Sequence, residues 1–147
     1  MNDVNIEKRT EATILQFLES AAYLERRLDR ALSATRGISF SEYRLLSALS
    51  RVTDNGIPRI DLANAVGLTA SAVTRALKPL EKIGLVTTQK SERDARQSLA
   101  MITPVGLDLL NDAQGVLRDM FKGLFMNTLN ENEIEEFQSR LSEIRLF

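Results

Sequence analysis

Thr69, Ser71, Thr74, Arg75 and Lys78 are of the types that contact phosphates and base edges, and they lie within ten residues of one another. Interleaved with them, Val73, Leu77, Leu80 and Ile83 recur every three or four residues, the spacing of one buried stripe on an amphipathic helix. With that stripe turned inward, Ala70, Ser71, Thr74, Arg75 and Lys78 occupy the opposite and flanking faces. A helix of about 10 Å diameter enters a major groove of about 12 Å width. Short residues near its start let the backbone approach, and their hydroxyls reach phosphates or base edges. The planar fork of Arg75 matches guanine O6 and N7, whereas Lys78 and Lys82 suit phosphate oxygens. By itself the pattern also fits a solvated helix with ordinary lysines.

A second basic cluster follows closely. Lys90, Arg93 and Arg96 fall in the polar run from 90 to 96, between two segments of alternating apolar character, 85–89 and 98–102. That arrangement predicts a hairpin with a basic tip, without the Asn-Gly or Gly-Gly of a two-residue turn, and hence with a longer loop. A basic wing beside a groove-bound helix can reach the adjacent backbone or the narrow minor groove, whose negative potential attracts Arg. Asp94, two residues before Arg96, is close enough to orient its guanidinium. It serves equally well as a turn-forming Asp.

The flanking elements are written in caps and stripes. Phe17, Ala21, Leu24, Leu28 and Leu32 make one stripe of a long helix over 7–35, which Gly37 ends. Ser39 to Glu42 is a capping box that opens a second helix from Phe40 to about Val52, with Ile38 and Tyr43 at staple spacing. After the turn cluster 53–56, Pro58 suits either a very short extended piece or a first helical position. Ile60 to Val66 is a short helix closed by Gly67, and Thr69 caps the next one, which Gly84 stops. Two helices across a tight Gly-containing turn are the helix-turn-helix pattern. Pro79 lies inside the second of them and should bend it beyond the base-reading turns. Thr103-Pro104 opens a helix with Leu110, Ala113, Leu117, Met120 or Phe121, and Leu124 on one face. Asn130 to Glu133 is a second capping box, followed by the stripe Ile134, Phe137, Leu141, Ile144.

Composition bounds the chemistry. The 147 residues hold no cysteine and no histidine, which removes thiol nucleophiles, disulfides, Cys/His zinc sites and imidazole bases. Acidic residues are scattered as on solvated helices. Neither an enzyme nor a cofactor is therefore expected, and thiol-oxidation and zinc sensing are argued against. The net charge of -1 hides a segregation. Residues 69–96 carry six basic side chains against three acids, while 104–147 carry four against eight. The surplus falls on the segment whose pattern points to nucleic acid. The polar start and the lack of a long apolar run lead to the expectation of a cytoplasmic protein without a membrane partner.

These segments resemble the MarR family of winged-helix regulators. The resemblance rests on Ile60-Asp61-Leu62-Ala63, Leu68-Thr69-Ala70-Ser71-Ala72-Val73-Thr74-Arg75 and Leu80-Glu81-Lys82-Ile83-Gly84-Leu85-Val86. It continues through Asp94-Ala95-Arg96 and Thr103-Pro104-Val105-Gly106, covering about 39–110. Two positions depart from the family pattern: Ala95 replaces the middle Arg of Asp-Arg-Arg, and Thr88 stands where a basic residue is usual. The resemblance marks Asp94 as wing-orienting and Arg96 as reaching the minor groove. It also implies a small aromatic or anionic effector and a dimer built from the N- and C-terminal helices.

The expected architecture is mainly α with a small β-hairpin wing (α+β), one chain over 1–147. A winged helix-turn-helix at 39–103 is flanked by helical dimerisation regions at 7–35 and 104–147. The outer stripes exceed what a small winged core covers, so Phe17, Leu24, Leu124, Phe137, Leu141 and Ile144 are expected at a homodimer interface. The DNA-binding set is Thr69, Ser71, Thr74, Arg75, Lys78, Lys90, Arg93, Asp94 and Arg96. The expected function is that of a repressor on a pseudo-palindromic double-stranded operator. The rival readings are a winged-helix protein adaptor or antirepressor, and a small-molecule carrier or enzyme, for which the sequence offers no polar pocket.

Overall fold

The computed structural model describes residues 2–52, 56–92, 94, 96–125 and 127–144. The element order is α1 (Asn2–Arg36), α2 (Phe40–Leu49), β1 (Ile57–Pro58), α3 (Arg59–Val66), α4 (Ala70–Lys82), β2 (Val86–Lys90), β3 (Ser98–Ile102), α5 (Pro104–Phe125) and α6 (Glu131–Ile144). None of these helices is long and apolar enough to cross a membrane. The chain falls into two compact units, Met1–Ala113 and Gln114–Phe147, with the boundary inside α5.

The first unit is built around α2, α3 and α4. At the start of α2 both halves of the capping box form: Glu42 N–H donates to Ser39 Oγ at 3.1 Å, and Ser39 N–H donates to Glu42 Oε2 at 2.7 Å. Two free amides of the first turn are thereby satisfied. The α2 stripe Leu45, Leu46 and Leu49 is buried against Leu62, Ala63 and Val66 of α3 and Val73, Leu77 and Leu80 of α4, all but excluded from solvent. Leu28 and Leu32 of α1 join this core, whereas Phe17 near the middle of α1 is 40% exposed and Leu24 is half-buried. Only the C-terminal end of the predicted α1 stripe is thus covered within this unit.

The turn between α3 and α4 is tightly specified. Gly67 takes φ 69°, the left-handed conformation that costs a residue without Cβ nothing. Its neighbour Leu68 donates its N–H to the Ala63 carbonyl at 3.0 Å. Arg44 of α2 donates from Nη2 to the Val66 carbonyl at 2.7 Å, closing the C-terminal end of α3 from outside. Thr69 then caps α4, its hydroxyl accepting from Ala72 N–H at 3.2 Å.

The sheet differs from a plain hairpin. β2 and β3 pair antiparallel with Val86 opposite Ile102 and Lys90 opposite Ser98, but β1 adds to the other edge of β3, giving the order β1-β3-β2. Of the two options for Pro58, extended backbone is the one taken. Pro58 fits there because an edge strand tolerates a residue without N–H. At the base of the wing, Thr103 Oγ1 donates to the Gly84 carbonyl at 2.6 Å, Thr103 N–H donates to the Leu85 carbonyl at 3.0 Å, and Gly106 N–H donates to Thr103 Oγ1 at 3.0 Å. One threonine ties the end of α4, the end of β3 and the start of α5.

The second unit holds the rest of α5 and α6. Asn130 and Glu133 form the predicted capping box, with reciprocal bonds of 2.8 and 3.1 Å. Beyond that start no residue of α6 is buried. Phe137 and Ile144 are 40% and 65% exposed, and Leu124 and Leu141 are half-buried. Exposed ion pairs of Arg140 with Glu136 and Glu143 run along the helix surface, each worth a few tenths of a kcal/mol at most.

Candidate nucleic-acid interface

The polar face predicted on α4 forms an open depression lined by Ala70, Ser71, Thr74 and Arg75. Its floor is rigid because Val73, Leu77 and Leu80 behind it are wholly buried. Thr69, Ser71, Arg75 and Lys78 are exposed, and Thr74 is half-buried at the edge of the face. α4 runs as one helix through Pro79 to Lys82. The inward stripe, however, ends at Leu80. Ile83, expected to close it, is the C-cap residue and is 60% exposed, because the backbone leaves helical geometry there at φ -95° and ψ 6°.

At the wing, Lys90, Asp94 and Arg96 are exposed, while Arg93 and Ala95 lie outside the described residues. Asp94 acts on the backbone and not on the guanidinium. Its Oδ1 accepts the N–H of Arg96 at 2.9 Å, its carbonyl accepts from Gln97 N–H at 2.9 Å, and its own N–H donates to Ser91 Oγ at 3.3 Å. Of the two roles open to Asp94, the structure therefore shows the turn-forming one. It fixes the main chain from which Arg96 projects and leaves the guanidinium to solvent.

A polar chain that sequence reasoning missed connects the two halves of this surface. Arg59, the first residue of α3, directs Nη1 to Thr74 Oγ1 at 3.4 Å and Nη2 to Glu81 Oε1 at 4.0 Å. The Thr88 hydroxyl on β2 donates to the same Glu81 oxygen. Arg59 Nε is buried and has no hydrogen-bond partner among the described residues. The one available signal was Glu81 itself, an acid between Lys78 and Lys82, together with the departure at Thr88. The contacts between them depend on folding and could not be read from spacing.

Residues 36–97 match the model of the MarR family. Over that segment the chain is of MarR type. An uncharacterized HTH-type transcriptional regulator of Bacillus subtilis, YdgJ, is 31% identical over 98 residues, covering 67% of this chain and 58% of that protein's length. Among solved structures, the fold is shared with Sco3205 of Streptomyces coelicolor, a MarR family transcriptional regulator crystallised in complex with DNA. The TM-score there is 0.84 at 23% identity, covering 92% of this chain and 85% of that one. AbsC, also from Streptomyces coelicolor, gives a TM-score of 0.81 at 22% identity over 92% and 90% of the two chains. The MarR-type winged helix is thus present here, and the departure at Thr88 lies on β2 of the wing.

Proposed function

We propose that this MarR-type chain binds duplex DNA sequence-specifically as a homodimer and represses transcription from a pseudo-palindromic operator. The observation that carries the reading is the division of α4. Its apolar side is wholly buried while Ser71, Arg75 and Lys78 stand exposed on the other, beside a wing bearing exposed Lys90 and Arg96. A rigid helix with an exposed polar face of that width suits a major groove, and the wing suits the flanking backbone and minor groove.

A dimer is supported by apolar surface on the outer helices. Ile6, Ile14, Leu15 and Leu18 of α1 and Ile144 of α6 are each more than half exposed, a cost in water that a second copy would relieve. Two reading helices related by a dyad then address half-sites about 10 bp apart. A small aromatic or anionic effector is supported by a hollow in the first unit lined by Arg26, Arg30, Arg44 and Phe40 together with Ser41, Glu25 and Asp29.

A salt series on the DNA upstream of the protein's own gene tests the reading. Specific binding should weaken steeply with salt, log affinity falling by about 0.9 per phosphate contact for each unit of log salt. Equal, weak binding to every duplex would sink it. Two substitutions separate roles on α4. Lys78→Ala should weaken all sequences alike and lower the magnitude of the salt slope by about 1. Arg75→Ala should instead relax base preference, narrowing the gap between cognate and altered duplexes by roughly tenfold. Unchanged discrimination after Arg75→Ala would assign base reading elsewhere.

A further inference from the structure

The chain Thr74–Arg59–Glu81–Thr88 has consequences beyond holding the fold. Arg59 follows directly on β1, which pairs with β3; β3 pairs with β2; and β2 carries Thr88, whose hydroxyl returns to Glu81 on α4. Side-chain contacts and sheet pairing together close a ring through all three strands and the reading helix. Among the described residues, the polar side-chain links that this ring makes to α4 come from Arg59 and Thr88.

Each link has a definite polarity. A guanidinium has donors only and a carboxylate acceptors only, so Arg59 must meet Thr74 at an oxygen lone pair and Thr88 must give its proton to Glu81. The Thr74 hydroxyl hydrogen takes no part in its contact with Arg59, and the Thr88 hydroxyl is committed inward. Glu81 is half-buried and receives both a cation and a hydroxyl, so removing either leaves a partly desolvated carboxylate undersatisfied.

We propose that Arg59, Glu81 and Thr88 are positioning residues that fix the root of the wing against α4, so that base reading and wing grip engage DNA as one unit. The inference rests on the DNA-binding reading above. In this chain the role falls to a neutral hydroxyl, that of Thr88 on β2. The wing root is therefore held by an internal bond to Glu81 and not by an added positive charge facing DNA.

The test uses the full chain and a duplex that it selects from a randomised pool, in two lengths: one spanning the flanks that the wings reach, and one trimmed to the core read by the helices. Thr88→Val keeps the size and the strand preference of the side chain, so the fold is retained. Its affinity for the long duplex should fall about tenfold and its affinity for the trimmed duplex should stay at the parent value, while hydroxyl-radical protection of the flanks is lost. Thr88→Ser, which restores the hydroxyl, should restore the parent's dependence on the flanks. Equal loss on both duplexes, or none on either, would overturn the proposal. If the parent itself shows no salt-dependent selection of any duplex, the DNA-binding reading fails instead, which is a distinct outcome.

Discussion

Gly106→Ala should lower the midpoint of urea unfolding by an amount corresponding to about 2 to 4 kcal/mol. A Cβ at this position would stand 2.1 Å from the Leu85 carbonyl oxygen, 2.9 Å from Ile102 Cγ1 and 3.0 Å from the Leu85 carbonyl carbon. Two of these neighbours are backbone and cannot rotate away. Relief requires the start of α5 to move off the base of the wing, which stretches the bonds from Thr103 to the Leu85 and Gly84 carbonyls. Against this stands the gain of about 0.5 to 1 kcal/mol for Ala over Gly within a helix. The clash and the lost hydrogen bonds are larger, so destabilisation wins. Gly123, further along the same helix with open space around its Cβ position, is the control. Gly123→Ala should be neutral or stabilising, and a Gly106→Ala protein as stable as the parent would mean that α5 does not approach the wing this closely.

Arg96→Ala should lower operator affinity by about 1 to 3 kcal/mol, the range for losing a good groove contact. The arrangement of the tip makes this a clean substitution. Asp94 holds the Arg96 backbone N–H, not its guanidinium, so alanine keeps the bond that shapes the turn. Only the projecting cation is removed, and unfolding free energy should change by less than about 0.5 kcal/mol. Binding to duplexes of several flank lengths, together with a mass measurement to confirm that the assembly is unchanged, checks the expectation. A variant that binds as tightly as the parent would remove Arg96 from the interface. Asp94→Ala is the complementary case, because it frees that backbone N–H and loosens the loop while leaving the charge of Arg96 in place.

Most of the element order was legible in the sequence because the forces that set it are local. The caps at Ser39, Thr69 and Asn130 act within three residues, and the stripes Leu45-Leu46-Leu49 and Val73-Leu77-Leu80 follow from helical periodicity alone. Gly67 and Gly84 mark stops because each takes a positive φ where its helix ends. The hairpin was legible from alternation, and the extent of β3 was read to the residue. The MarR-type pattern adds order to these local signals, so that the polar face of α4 and the hairpin after it follow from the sequence.

Only the tertiary structure decided the rest, because it depends on residues far apart in the chain. β1 joins the sheet through a pairing of Ile57 with Ala100, a separation that no local window contains. Ile83 continues the apolar period but sits where the helix has already ended, so its side chain meets solvent. The α6 stripe has helical spacing, yet its own unit buries none of it. Asp94 could face a guanidinium or a backbone amide from sequence, and the geometry of the loop chose the amide. Thr88 looked like a missing cation in the wing. Its partner is Glu81, brought within reach by the packing of β2 on α4, and the charge on that carboxylate is met by Arg59 from a third element. The sequence by itself determined which faces are polar and where each helix starts. Which of those polar groups are free for a partner, and which are spent inside the protein, was decided by long-range packing.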